Sequence, residues 1–307
     1  MLEIFFEKLK RHRSKVFALF SVLIALNVFT FWQIRNLNAS KEDFKIYFLD
    51  VGQGDSALVV LPGGVKMLID GGPPNGKLLE NLGKILPPTE RYIDLVMLSH
   101  AQLDHFGGLI EALNRYRVGA FLDNGRPGEV KAYADLEAVI KKNSIRRIVL
   151  AAKDKINYMN SHFKILSPDA EFLTSKELND TAIVTELSSN NAIALFTGDI
   201  GFNVEKALVK NYSLSADILK AAHHGSKYSS GNEFLSELEP KIAVIGVGKN
   251  SYGHPTKETL GRLTNIGAKI YRTDKDGTIE VLINNGKARI FKNEKILLFA
   301  NRKGYGS

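Results

Sequence analysis

Five of the seven histidines in this chain fall in three short stretches, and each stretch follows an apolar run. The first reads Leu98-Ser-His100-Ala-Gln102-Leu-Asp104-His105-Phe-Gly-Gly and the second Leu219-Lys-Ala-Ala-His223-His224-Gly-Ser226. The third is Ser251-Tyr-Gly-His254-Pro. A fourth run, Leu195-Phe-Thr-Gly-Asp199, has the same form, an apolar strand ending in glycine and a lone carboxylate. Strand ends in layered α/β folds converge on one edge, where ligands bind. A chain with this pattern is expected to bring four distant segments to one rim.

The rest of the body agrees. Thirteen β-rich runs are expected, at 45–49, 56–61, 65–69, 95–98, 119–122, 147–150, 183–187, 192–196, 217–220, 242–247, 269–271, 277–283 and 288–291. Helical periodicity falls between them, near 77–85, 106–116, 130–142, 202–210, 232–238 and 256–265. Runs such as IAVIG and IALFT are apolar throughout, as strands covered on both faces are. This alternation predicts a two-sheet α/β layer architecture rather than a bundle.

Residues 16–34, VFALFSVLIALNVFTFWQI, are different: fifteen of nineteen are apolar, none is charged, and Trp32 sits near one end. Nineteen helical residues span roughly 30 Å, the thickness of a bilayer's hydrocarbon core. The basic cluster Lys8-Leu-Lys-Arg-His-Arg-Ser-Lys15 precedes them, and only Arg35 and Lys41 follow closely. The positive-inside rule then places the N-terminus in the cytoplasm and the body outside. Asn38-Ala39-Ser40 is a poor signal-peptide cleavage site, so an uncleaved single-pass anchor is expected. The expected division is a cytoplasmic basic tail at 1–15, a transmembrane anchor at 16–34, a linker at 35–43 and one globular domain at 44–307.

Composition narrows the chemistry. The chain has no cysteine, which excludes disulfides, thiol catalysis and any Cys-ligated metal. Half of the net charge of +8 lies in residues 1–40; the remainder carries 35 basic residues against 31 acidic ones. A general nucleic-acid-coating role thus loses most of its support. The residue types at the rim suit a metal instead. Imidazole and carboxylate ligate zinc, manganese or iron(II), and two metals sharing a carboxylate suit phosphate-ester hydrolysis. His100, Gln102 and Asp104 alternate along a tight turn, so their side chains can share one side, and His105 then opens a helix.

These motifs resemble those of the metallo-β-lactamase fold superfamily, and within it the competence-type ComEC branch. The resemblance rests on Phe48-Leu-Asp-Val-Gly52-Gln-Gly54-Asp55-Ser56, Leu68-Ile-Asp70-Gly-Gly, Ser99-His100 to Gly108, Leu195 to Asp199, His223-His-Gly-Ser226 and Tyr252-Gly-His-Pro255. It covers residues 44 to about 285, in order. It implies a four-layer αβ/βα sandwich with a dinuclear metal site between the sheets. His100, Asp104 and His105 then look like metal ligands, Asp199 like the bridging carboxylate, and His224 or His254 like the last ligand. The remaining histidine, with His223, would bind the scissile phosphate or protonate the leaving group, and the sequence does not rank the three. Asp104, His224 and His254 are the expected catalytic residues. Asp70 either accepts turn hydrogen bonds or holds a ligand histidine by its other ring nitrogen. Asp55 is a hairpin tip or faces the cleft, and Ser226 contacts phosphate or supports a ligand. His162 and His12 are expected at the surface.

Two departures from the family pattern bear on the site. Gln102 stands where the family has His or Asp, and Asn179-Asp180-Thr181 lacks the upstream histidine usual in the superfamily. One metal position would be left with His100, the shared Asp199 and Asp180, and the other keeps Asp104, His105, Asp199 and a distal histidine. One firm and one weak or empty site are expected, for zinc or manganese, with magnesium possible. The implied function is a membrane-anchored hydrolase of phosphodiesters, with extracellular DNA as substrate in uptake or processing. One span cannot itself transport DNA, so uptake would need a separate membrane-channel partner. Two alternatives stay open: a weakened scaffold that binds nucleic acid or a partner, and a hydrolase of another ester such as a lactone, nucleotide or lipid head group.

Overall fold

A computed structural model describes residues 13–39, 43–284 and 286–292. The chain divides into two units, Met1–Asp43 and Phe44–Ser307. In the first, helix α1 spans Arg13–Ala39. Its described side chains from Phe17 to Phe31 are exposed on every side. Among the described residues no helix is long and apolar enough to cross a membrane. The expected anchor at 16–34 is therefore not supported on these residues. The basic tail falls largely in residues 1–12, outside the described residues, as does His12; the same holds for 40–42 of the linker.

The second unit is built on two sheets. The first holds β1 (Phe44–Phe48), β2 (Ala57–Val60), β3 (Lys66–Ile69), β4 (Tyr92–Met97), β5 (Arg117–Asp123), β6 (Arg146–Val149), β14 (Ile279–Asn284) and β15 (Lys287–Lys292). Its order is β15-β14-β1-β2-β3-β4-β5-β6. The second holds β7 (Lys155–Tyr158), β8 (Ser161–Ser167), β9 (Val184–Ser189), β10 (Ala192–Phe196), β11 (Ile218–Lys220), β12 (Ile242–Ile245) and β13 (Lys269–Arg272), in the order β13-β12-β11-β10-β9-β8-β7. Helices α2 (Lys77–Ile85), α3 (Leu103–Arg115) and α4 (Ala132–Lys142) cover the outer face of the first sheet, through residues such as Leu82, Phe106 and Leu136. Helices α5 (Phe202–Asn211), α6 (Asn232–Leu238) and α7 (Lys257–Asn265) cover the second, through Val204, Leu235 and Leu263. Between the sheets lies a core with Phe44, Ile46 and Met67 from one side and Phe163, Leu187 and Phe196 from the other. The four layers are those expected.

Each sheet runs antiparallel on one side and parallel on the other, and the parallel part makes the rim. Strands β3 to β6 pair in parallel, as do β10 to β13. Register does the placing. Ile69 lies opposite Met97, so Asp70 and Ser99-His100 leave neighbouring strand ends together. Phe196 lies opposite Lys220, so Asp199 and His223 emerge three residues later side by side. Helix α3 turns its buried face, His105, Phe106, Leu109 and Leu113, onto the first sheet. Gly108 lets it approach, since a Cβ there would sit 2.2 Å from the Gly71 carbonyl oxygen.

The hairpin β7–β8 carries no expected strand. Ser161, Phe163 and Ile165 point inward while His162 and Lys164 are exposed, an alternation with only two apolar residues before Leu166. His162 is indeed exposed and bonds Asn157. Helix α3 begins at Leu103 rather than 106, so both Asp104 and His105 lie in its first turn.

Candidate metal centre

Two imidazoles define the centre. His105 Nδ1 lies 2.9 Å from Asp70 Oδ2, and His224 Nδ1 lies 2.8 Å from the Gly246 carbonyl oxygen. A carbonyl oxygen only accepts, so His224 Nδ1 carries a proton and Nε2 is the nitrogen left to take a second proton or a cation. The Asp70 carboxylate does the same for His105. Both Nε2 atoms turn to Asp199: His105 Nε2 is 3.4 Å from Oδ1 and His224 Nε2 is 3.3 Å from Oδ2. Asp104 Oδ2 approaches His224 Nε2 at 3.2 Å. Asp70 also accepts from Ser99 N and Ser99 Oγ, both at 2.7 Å, and Ser99 Oγ lies 3.0 Å from His100 Nδ1. The His100 and His105 rings stand 4.2 Å apart.

Local backbone makes these directions possible. Asp70, His223 and His224 all adopt left-handed conformations, with φ of 58°, 49° and 52°. Such geometry costs roughly 1–3 kcal/mol per non-glycine residue and persists only where its surroundings enforce it. In the turn Ala222–Gly225 it sends successive rings different ways, His224 into the interior and His223 toward the half-buried mouth.

Behind the imidazoles lies an ion pair. Asp55 pairs with the buried Lys220 ammonium, which also donates to the Gly198 carbonyl at 3.1 Å and lies 3.8 Å from Asp199 Oδ1. The other Asp55 oxygen is 3.5 Å from His224 Nδ1, and the carboxylate reaches His105 Nδ1 at 4.0 Å. It packs on Gly246, where a Cβ would come within 2.2 Å of Asp55 Oδ1. Asp55 thus faces the proton-bearing edges of both rings, opposite to Asp199.

The donor set fits a divalent cation. One ligand atom each of Asp55, His105, Asp199 and His224 lies within 4.8 Å of the others. His100 Nε2, His105 Nε2 and Asp199 Oδ1 are buried without a hydrogen-bond partner, a costly arrangement unless a cation or a proton serves them. Four carboxylates, Asp55, Asp70, Asp104 and Asp199, face one ammonium, Lys220, leaving an excess of three negative charges when the rings are neutral. The pKa directions carry the same message. Burial alone would lower the His224 pKa, yet Asp199 and Asp55 lift it to about 10. His105 is likewise pushed down by burial but raised well above its ordinary value by Asp199 and Asp70. Burial would raise Asp104, but its hydrogen bond to His224 and the His105 ring hold it at about 2. His100, with burial and the His105 ring both against a charge, falls to about 4 and stays neutral.

One prediction follows from this charge balance. A cation must displace the protons that His105 and His224 carry at pH 7. Binding should release about two protons, and affinity should fall up to about a hundredfold per pH unit as pH drops below 7. Calorimetric titration with zinc or manganese in buffers of different ionisation enthalpy measures this. Binding without proton release would contradict it.

The remaining expected residues divide. Gln102 donates to Asn179 Oδ1, and Asn179 Nδ2 lies 3.5 Å from the ring nitrogens of His223. His223 Nε2 is 3.9 Å from Asp199 Oδ2, and its ring meets His254 at 5.5 Å. These residues form an outer tier at the mouth. Asp180, expected to complete a metal position, accepts from Ser175 Oγ at 2.9 Å. Ser226 is a structural tie as well. Its hydroxyl accepts from Tyr228 N and its carbonyl from Thr259 Oγ1. Lys220, Ser99 and the Gly246 carbonyl were not anticipated. Lys220 left a trace in the sequence, as the one charge in the run Ile218-Leu-Lys-Ala-Ala222.

A family profile described as the Metallo-beta-lactamase superfamily matches residues 49–249. The chain belongs to the metallo-beta-lactamase superfamily. Among curated superfamily relatives, ComE operon protein 3 of Bacillus subtilis is 31% identical over 265 residues, covering 78% of this chain and 33% of that protein. Competence protein ComA of Neisseria gonorrhoeae is 27% identical over 253 residues, 79% of this chain and 33% of that one. The chain thus spans about a third of the length of the curated relatives it matches. Among solved structures, the metallo-beta-lactamase fold protein YhfI from Bacillus subtilis aligns with a TM-score of 0.53 at 13% identity, covering 78% of this chain and all of that one. That likeness concerns the fold. In this superfamily member the loops at the strand ends carry the donor set just described.

Proposed function

We propose that this chain is a metal-dependent phosphodiesterase acting on DNA, held at the outer face of the cell membrane by its N-terminal helix. The convergence of His105 Nε2 and His224 Nε2 on Asp199, with Asp104 against His224 Nε2, carries the hydrolase part of this reading. A divalent cation bound there, zinc or manganese by its ligand types, supplies Lewis acidity toward a phosphoryl oxygen and activates water. The protein's residues do the rest. Asp70, Ser99 and Gly246 keep both rings in one tautomer and one direction. Lys220 pairs with Asp55 behind the rings, and Asp199 is the carboxylate that faces both Nε2 atoms. His223 and His254 stand at the mouth with pKa values lowered by burial, and neutral imidazole there can hold a phosphate oxygen or pass a proton to the departing oxygen.

The substrate assignment draws on a Neisseria gonorrhoeae relative whose name speaks of competence and a Haemophilus influenzae relative, 27% identical over 269 residues, whose name speaks of recombination. A membrane channel is the partner proposed for DNA uptake. The membrane assignment draws on helix α1, where Phe17, Phe20, Ile24, Val28 and Phe31 are each more than half exposed, a costly surface in water. Gln102 supports a second reading, a scaffold with one weakened metal position, because its amide is engaged by Asn179.

The deciding experiment assays the purified full chain with manganese, zinc or magnesium on single- and double-stranded DNA and on bis-nitrophenyl phosphate. Cleavage of DNA is expected. Turnover of the small ester alone would move the assignment to another phosphodiester. Binding of DNA without turnover on any substrate would establish the scaffold. Recovery of the chain in the soluble cell fraction would remove the membrane assignment.

A further inference from the structure

Tyr252 sits at the tip of the loop between β12 and α7 and is 75% exposed. The metal chemistry makes no use of it, yet its backbone is fastened. Asn250 spends its whole amide there: Oδ1 accepts from the backbone N–H of Tyr252 and of His254, each at 3.1 Å, and Nδ2 donates to the carbonyls of Gly248 and His254, each at 2.9 Å. An asparagine fully committed to one loop fixes where the tyrosine stands, and a rigid aromatic binds at low entropic cost.

The ring stands at the head of a row. Its centroid is 5.8 Å from that of His254, with the planes 32° apart. His254 meets His223 at 5.5 Å, and His223 Nε2 is 3.9 Å from Asp199. Thr256 donates from both N and Oγ1 to the Gly225 carbonyl, tying this loop to the segment that carries Lys227 and Tyr228. Lys227 and Lys249 are exposed on the two loops and Lys257 at the first residue of α7, with Glu258 as the acidic neighbour. Two imidazoles, a solvent-facing π-surface and a basic fringe follow one another outward from the centre.

We propose that Tyr252 is a stacking platform for an unpaired nucleobase beside the scissile phosphate, which makes single-stranded DNA, or a frayed duplex end, the preferred substrate. The proposal rests on the phosphodiesterase reading above and adds strand state to it. Every base has a π-face, so the contact tolerates sequence, while a base paired within a duplex has both faces occupied by its neighbours. The lysines complement the phosphates on either side.

The test compares KM for three substrates of one length with the full, metal-loaded chain: a single-stranded oligodeoxynucleotide, a chain of abasic deoxyribose phosphates, and a duplex. Stacking of one base predicts a KM for the oligonucleotide about 5- to 150-fold below that for the abasic chain. Tyr252→Ala should collapse that ratio toward one, while Tyr252→Phe and Tyr252→Trp keep it, which separates stacking from hydroxyl hydrogen bonding and from misfolding. Equal KM values for oligonucleotide and abasic chain in the wild type, or an unchanged ratio in Tyr252→Ala, overturn the proposal while leaving the phosphodiesterase standing. A preference for duplex overturns it too. Failure to cleave any of the three removes the phosphodiesterase reading and this proposal with it.

Discussion

Asp199→Ala should abolish hydrolysis, by about a thousandfold or more in kcat/KM, and strip the centre of bound metal. Asp199 is the one carboxylate that meets both Nε2 atoms, at 3.4 and 3.3 Å, and it is 1% exposed. Without it the two rings face each other across a buried gap with only Asp104 to hold a cation, and Asp104 touches the His224 side alone. Elemental analysis beside the activity assay separates the two consequences. An Asp199→Ala protein with full metal content and wild-type turnover would end the proposal that this cluster is the catalytic centre.

Lys220→Met should cost about 3–5 kcal/mol of folding stability, a fall in Tm of roughly 10 °C. Both members of the Asp55–Lys220 pair are buried, and the lysine also answers the Gly198 carbonyl and the field of Asp199. Burial works against the ammonium, but Asp55 and Asp199 more than restore it, so its pKa is raised and it is charged at pH 7. Removing it leaves Asp55 as a buried, uncompensated anion directly behind the two ligand rings. The double variant Lys220→Met, Asp55→Asn should recover most of the loss, because neither partner is then left charged. Thermal denaturation of the four proteins of this cycle makes the measurement. Equal and additive effects of the two single changes would show that the pair is not coupled.

Much of the frame was legible in the residues. The six longer helices of the second unit lie where periodicity places them, Lys77–Ile85 and Asn232–Leu238 to the residue. The hairpin of β7 and β8 was not, because it closes the end of its sheet with β7 at the edge, and Ser161–Ser167 turns polar residues outward and so offers little apolar contrast. At the site, the residue types were visible but their partners were not. Gln102 reads as a weak metal donor until its amide is found on Asn179, 77 residues away.

The amino-acid sequence by itself determined which groups could meet: strands ending in histidine and aspartate, no competing thiol, and apolar runs that require two covered sheets. Only the tertiary structure decided how they meet. Ring direction at His223 and His224 depends on left-handed backbone that no local pattern encodes. The pairing of Lys220 with Asp55 joins positions 165 residues apart through the packing of one sheet on the other. Periodicity is a property of neighbours along the chain, whereas the charge balance of a buried centre is a sum over neighbours in space.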